Sequence, residues 1–134
     1  MKKILLFLPV LFFCIQGFSQ KSNDGCTFDY NLEVTKRDDF MTTRDLTATF
    51  KWDFTKLNWE ASDVKIEVIP IKDCMNEIQG TEFKDGFRIV LKEATGSQEL
   101  SHRAMGTKCF KWRLVVSSEG CEKTYSWTYF SFVD

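Results

Sequence analysis

Leu46-Thr47-Ala48-Thr49-Phe50-Lys51-Trp52-Asp53-Phe54 alternates apolar and polar side chains without interruption. In an extended strand successive side chains point to opposite faces, so this spacing puts Leu46, Ala48, Phe50, Trp52 and Phe54 on one side. A helix would scatter them around its axis. The stretch therefore predicts a strand with one buried and one solvated face, the pattern of antiparallel sheets.

The same period recurs on both sides of it. Phe28, Tyr30, Leu32 and Val34 form an earlier stripe, and Val64, Ile66 and Val68 a later one. Thr81-Glu82-Phe83 and Phe87 to Leu91 flank Lys84-Asp85-Gly86, whose Asp-Gly pair suits a tight hairpin because glycine accepts positive φ without a Cβ clash. Phe110, Trp112, Leu114 and Val116 follow. After the turn signal Ser117-Ser118-Glu119-Gly120, the last strand carries Tyr125, Trp127 and Tyr129, with Phe130 and Phe132 on its other face. No stretch of similar length holds a 3.6 period. Residues 97–106, bounded by Gly96 and Gly106, are expected to form a crossover loop, with one helical turn as the alternative. Seven short strands separated by turn signals predict a single all-β domain, an antiparallel β-sandwich, with a small closed barrel as the alternative.

The chain begins with Met1-Lys2-Lys3 and an apolar run from Ile4 to Ile15, the charged and hydrophobic regions of a secretory signal peptide. A run this short does not span a bilayer core of about 30 Å as a helix. Gly17-Phe18-Ser19 supplies small residues at −3 and −1, which predicts a leader of residues 1–19 and a mature domain of residues 20–134 starting at Gln20. Cys14 follows the bulky pair Phe12-Phe13, so it reads as part of the hydrophobic region rather than as a lipid-bearing cysteine. No later segment is apolar enough to span a membrane.

Removal of the leader takes away Lys2 and Lys3 and no acid, leaving 16 Lys+Arg against 19 Asp+Glu, a net charge of −3. The basic residues are scattered among acids along the strands, which is the pattern of a solvated sheet face and not of a nucleic-acid groove.

Phe50-Lys51-Trp52 on the second strand, Val64 to Val68 on the third, and Gly106-Thr107 leading into Phe110-Lys111-Trp112-Arg113-Leu114-Val115-Val116 together resemble the fibronectin type III pattern. The Ser118-Glu119-Gly120 turn and the aromatic final strand fit it too. The resemblance covers residues 27–133 and implies one sandwich domain. Phe110 stands where members of that family usually carry a tyrosine, which keeps the wider immunoglobulin-like class open beside it.

Of the five cysteines, four lie in the mature chain, and four allow three pairings. Sandwich order implies Cys74 with Cys109, because the end of the third strand would adjoin the start of the sixth. It also implies Cys26 with Cys121, because the first and last strands would begin at the same pole. Zinc ligation calls for close pairs such as Cys-x-x-Cys, and the successive gaps of 48, 35 and 12 positions offer none. Structural disulfides suit an exported chain.

No catalytic constellation emerges, and no cofactor or metal is expected. A nucleophilic cysteine would need a histidine, and the one histidine, His102, lies between Ser101 and Arg103 in an expected solvated loop. Asp38, Asp39 and Asp45 are interleaved with Lys36, Arg37 and Arg44, which reads as an exposed charged turn rather than a calcium cage. Asn58 and Trp59, between the second and third strands, fall at the same pole as Glu119. Loops at such a pole commonly meet a partner, and tryptophan is a frequent binding anchor. The competing expectation is that Trp59 folds back as a lid on the core.

The expected function is that of a secreted or periplasmic binding or adhesion module contacting a protein or glycan of the cell envelope or extracellular space. A carrier of small apolar ligands in a β-barrel cavity is the alternative, and an enzyme the least favoured class.

Overall fold

The structure is a computed structural model, and it describes residues 26–38, 45–74 and 85–133. The leader, the cleavage site, Asp39 and the Thr81–Lys84 half of the expected hairpin lie outside the described residues.

Among the described residues, eight strands form two antiparallel sheets. In chain order they are β1 (Asn31–Asp38), β2 (Leu46–Asp53), β3 (Ser62–Ile71), β4 (Phe87–Val90), β5 (Thr95–Ser101), β6 (Cys109–Ser118), β7 (Cys121–Thr124) and β8 (Thr128–Ser131). One sheet has the order β1-β2-β5. The other has β4-β3-β6, with β7 and β8 pairing successive parts of the far edge of β6. The result is an all-β sandwich. Its layers are open sheets, not the closed barrel held as the alternative.

The period-two stripes face each other across the layers. Ala48 and Phe50 of β2 are fully buried, as are Val64, Ile66 and Val68 of β3 and Leu114 and Val116 of β6. Rings fill the space between them: Phe50 lies 6.0 Å from Phe110 and 5.5 Å from Trp112, and Phe110 stacks on Phe130 at 4.9 Å. Complete burial of one such side chain contributes about 1.5–3 kcal/mol, so this aromatic core is the main source of stability.

Two disulfides close the fold, Cys26–Cys121 with Cα atoms 6.0 Å apart and Cys74–Cys109 at 5.7 Å. These are the two pairs that sandwich order implies. Bridges of this kind form and persist in oxidising compartments.

Three expectations are corrected. Residues 97–106 are not a crossover loop: Thr95–Ser101 is β5, paired with β2 from Thr95↔Asp53 to Ser101↔Thr47, and His102–Met105 is one helical turn, α1. β5 shows no alternation because most of its side chains are exposed, and its place is set by backbone pairing. Gly96 lies opposite Trp52, where an added Cβ would meet the indole ring at 2.7 Å. The turn that follows is capped by Ser101 Oγ, which accepts from the amides of Arg103 and Ala104 at 3.2 and 3.3 Å, and it ends at Gly106 with φ 70°.

The last strand is not continuous. Val115 pairs with Thr124 and Trp112 with Thr128, so Tyr125, Ser126 and Trp127 stand against only Arg113 and Leu114. One extra residue on one side of an antiparallel pair is a β-bulge. It turns Trp127 onto the outer face of the sheet, 4.3 Å from the guanidinium of Arg113 and 5.1 Å from Nζ of Lys111. With β5 added, the last strand divided and the expected Thr81–Phe83 strand outside the described residues, the expected seven strands become eight.

Finally, His102 and Asp45 are not solvated loop residues. Asp45 accepts from Ser101 Oγ at 2.5 Å and lies 2.6 Å from His102 Nδ1, which also accepts the amide of Leu46 at 3.0 Å. The hydroxyl of Ser101 is bonded to Asp45 and caps α1, so the trio ties the start of β2 to the end of β5. The first bond, with a smaller contribution from His102, holds the Asp45 carboxyl below the usual carboxylate range.

Candidate functional site

The pole that carries Asn58 and Glu119 is built from three segments: residues 26–30 ahead of β1, the β2–β3 connection, and the β6–β7 turn. Each is locally determined. Asp53 starts the connection by accepting from the amide and hydroxyl of Thr55 at 2.9 and 2.6 Å, an Asx-turn, and those bonds keep its carboxyl below the ordinary range. Leu57 N then donates to Phe54 O at 3.0 Å, and Trp59–Ala61 forms a single 3₁₀ turn closed by Ala61 N to Asn58 O at 3.1 Å.

The 3₁₀ turn decides where the tryptophan goes. Trp59 is half-buried against the core, its ring 6.4 Å from that of Phe54. It is a lid, and the polar residue beside it faces outward. Asn58 Nδ2 donates to Glu119 Oε1 at 3.2 Å, so two of the three residues singled out in the sequence meet while the third turns away.

Glu119 reaches that position through an unusual backbone. In the two-residue turn Glu119-Gly120 both residues have positive φ, 52° and 77°, the combination that matches the twist of a β-hairpin. Glycine adopts it freely, whereas a residue with a Cβ is disfavoured by about 1–2 kcal/mol. Around the turn, Ser62 Oγ donates to Asn58 O at 2.6 Å and lies 2.7 Å from Ser118 Oγ, and Glu119 N donates to Ala61 O at 3.3 Å. Three of these bonds, Asn58 to Glu119, Ser62 to Ser118 and Glu119 to Ala61, join the two loops.

Between these loops and the N-terminal segment lies a hollow of about 630 Å³, lined by residues 26–29 and 56–58 together with Ser118, Glu119 and Cys121. The Cys26–Cys121 disulfide forms part of its wall, and Phe28 and Leu57 supply apolar surface. Its rim is polar: Lys56 Nζ contacts Asp29 at 2.8 Å, which raises the Lys56 ammonium above its ordinary value. Both partners are exposed, so the pair contributes little to stability. Acids and bases alternate on this rim, which suits directional hydrogen bonding more than attraction of a highly charged ligand.

A second feature lies between the layers beside the bulge. Tyr30, Leu32, Trp112, Leu114 and Tyr125 line a crevice of about 320 Å³. Burial, followed by its hydrogen bond to Tyr125, pushes the Tyr30 hydroxyl up to about 12, so it remains protonated at ordinary pH. No sequence pattern marks this crevice, because it depends on the gap between sheets. On the outer face of the second sheet, Glu67 links Arg88 and Arg113 across three strands, accepting from Nε of Arg113 at 2.6 Å and forming an ion pair with Nε of Arg88 at 3.3 Å.

Among the described residues no group of three His, Cys, Asp or Glu could hold a metal ion, and no helix is long and apolar enough to cross a membrane. Comparison with protein-family models, with curated proteins and with solved structures gives no match.

Proposed function

We propose that this chain is a non-catalytic binding module of the periplasm or the extracellular space, and that it contacts a protein or glycan of the cell envelope through the pole where Asn58 and Glu119 meet. The observation that carries this reading is the backbone of Glu119. A carboxylate is held in a left-handed conformation that glycine would adopt without strain, and it is fixed by a bond to the opposite loop. Strain retained at an exposed polar group is typical of surfaces kept for recognition.

Other features support the same class. The orders β1-β2-β5 and β4-β3-β6-β7 fit an immunoglobulin-like or fibronectin type III-like module, whose loops gather at the ends of the sandwich. The trio Ser101, Asp45 and His102 is engaged in tying strands together. The aromatic residues expected to line a barrel cavity in the carrier alternative instead fill the interior.

The test is to immobilise the oxidised chain from Gln20 onward and probe it with solubilised cell-envelope proteins and a panel of envelope glycans. Saturable binding should weaken at least about tenfold, or ~1.4 kcal/mol, in the Asn58→Ala/Glu119→Ala double variant. Binding that ignores both substitutions would refute the assignment of the pole.

A further inference from the structure

Arg88, Glu67 and Arg113 form a row across the outer face of the second sheet, because Glu67 of β3 stands opposite Arg88 on β4 and Arg113 on β6. The carboxylate engages both guanidiniums through Nε alone, with Oε2 accepting from Arg113 at 2.6 Å and Oε1 paired with Arg88 at 3.3 Å. The terminal Nη groups of both arginines have no partner among the described residues. Trp127, turned outward by the bulge, lies over the Arg113 guanidinium at 4.3 Å and ends the row. Two guanidinium forks are therefore oriented without being filled.

One carboxylate stands against two guanidiniums in the groove these residues line, so a further anion is accommodated there. A guanidinium receives a carboxylate through paired N–H groups, and a fork whose direction is already fixed loses less freedom in doing so. The size of the groove decides what brings the anion. At about 200 Å³ it falls below the ~300–1,000 Å³ of small-molecule sites, so it takes one side chain of a larger partner. Its surroundings decide between classes of partner. Phe87 and Ile69 line the groove with Trp127, and Val90 shares the outer face of β4 with Arg88, two residues away. Phe87, Val90 and Trp127 are three of the four large hydrophobic residues exposed among the described residues. A hydroxyl-rich glycan would set polar groups against this apolar border, whereas tryptophan and arginine amid apolar surface are the usual anchors of protein interfaces.

We infer that the outer face of β4-β3-β6 docks a protein partner that presents one carboxylate side chain between apolar residues. Arg88 and Arg113 receive the carboxylate, and Phe87, Val90 and Trp127 receive its apolar neighbours. This face is separate from the Asn58–Glu119 pole, and it does not depend on the binding function assigned to that pole. The amides of β3 and β6 are already bonded within the sheet, so occupancy of the face is read from side-chain resonances.

Three peptides serve as probes: Ac-Leu-Glu-Leu-NH₂, its Gln counterpart of nearly the same shape without the charge, and Ac-Gly-Glu-Gly-NH₂ with the charge but no apolar neighbours. Trigalacturonate, which carries carboxylates on a sugar chain, tests the glycan class. Each is titrated into the ¹⁵N-labelled oxidised chain while the arginine Nε–H and tryptophan indole resonances are followed. The first peptide should move Arg88, Arg113 and Trp127 saturably, with the other two peptides and trigalacturonate at least about fivefold weaker. Arg88→Gln and Trp127→Ala, both at exposed positions, should each weaken the first peptide at least about fivefold while preserving the dispersion of the spectrum. Equal binding of the Glu and Gln peptides, no movement of the two arginines, or unaltered binding by Arg88→Gln would each overturn the inference. Tighter binding of trigalacturonate than of the first peptide at the same resonances would overturn the choice of a protein partner.

Discussion

Asn58 Nδ2 donates to Glu119 Oε1 across 61 residues of sequence, and the carboxylate reaches it from a backbone with φ 52°. One exposed hydrogen bond therefore joins the β2–β3 connection to the β6–β7 turn at the rim of the polar hollow.

If the turn retains Glu119 for contact with a partner, its replacement should separate stability from binding. Glu119→Gly relieves a left-handed penalty of about 1–2 kcal/mol, against which the entropy of an added glycine costs roughly 0.5–1. The variant should be about 0.5–1 kcal/mol more stable in denaturant unfolding, and weaker in binding. A less stable variant would mean that the bond to Asn58 outweighs the backbone strain.

Cys26–Cys121 links residues 95 apart in sequence and forms one wall of the hollow. Loss of such a bridge typically costs ~2–5 kcal/mol, so Cys26→Ser or Cys121→Ser should lower the melting temperature by about 10 °C or more. An unchanged thermal scan in both variants would show that this bridge does not constrain the fold.

Gly96→Ala places a Cβ 2.7 Å from the Trp52 ring, which is held in place by a bond from Nε1 to Glu93 O at 3.1 Å. Overpacking of this kind costs about 1–3 kcal/mol. The loss should appear in unfolding curves together with a shifted Trp52 indole resonance. Wild-type stability in this variant would mean that β5 moves away at little cost.

The bond from Ser101, followed by the interaction with His102, lowers the carboxyl pKa of Asp45 from its ordinary 3.8. The native state then holds this proton less readily than the unfolded chain does. The associated stabilisation is present above pH 3.8 and is lost as the pH falls through the lowered value. Asp45→Asn should therefore show a shallower loss of stability on the acid side than the wild type, in thermal unfolding between about pH 4 and pH 2. Parallel curves would exclude this contribution.

The sandwich is legible in the sequence wherever one face of a strand is buried, as in the alternation through Phe50, Ile66 and Leu114. β5 is not, because an outer strand with mostly exposed side chains leaves no apolar period; Gly96, which reads as a loop boundary, is the space occupied by Trp52. The bulge is hidden for a different reason. Tyr125, Trp127 and Tyr129 keep their alternation in sequence, while the extra residue becomes visible only when β6 is laid opposite. At the pole, turn chemistry marks Asn58 and Glu119, but the direction of Trp59 depends on one 3₁₀ turn. His102 reads as solvated because its partners, Asp45 and the amide of Leu46, are distant in sequence.

The most direct measurement is amide hydrogen exchange of the oxidised chain with and without solubilised cell-envelope components. Residues 26–30, 56–60 and 118–121 should exchange more slowly in the bound state, with the rest of the sandwich unchanged. Protection confined to any other surface, with these three segments unaffected, would contradict the assignment of the Asn58–Glu119 pole as the binding site.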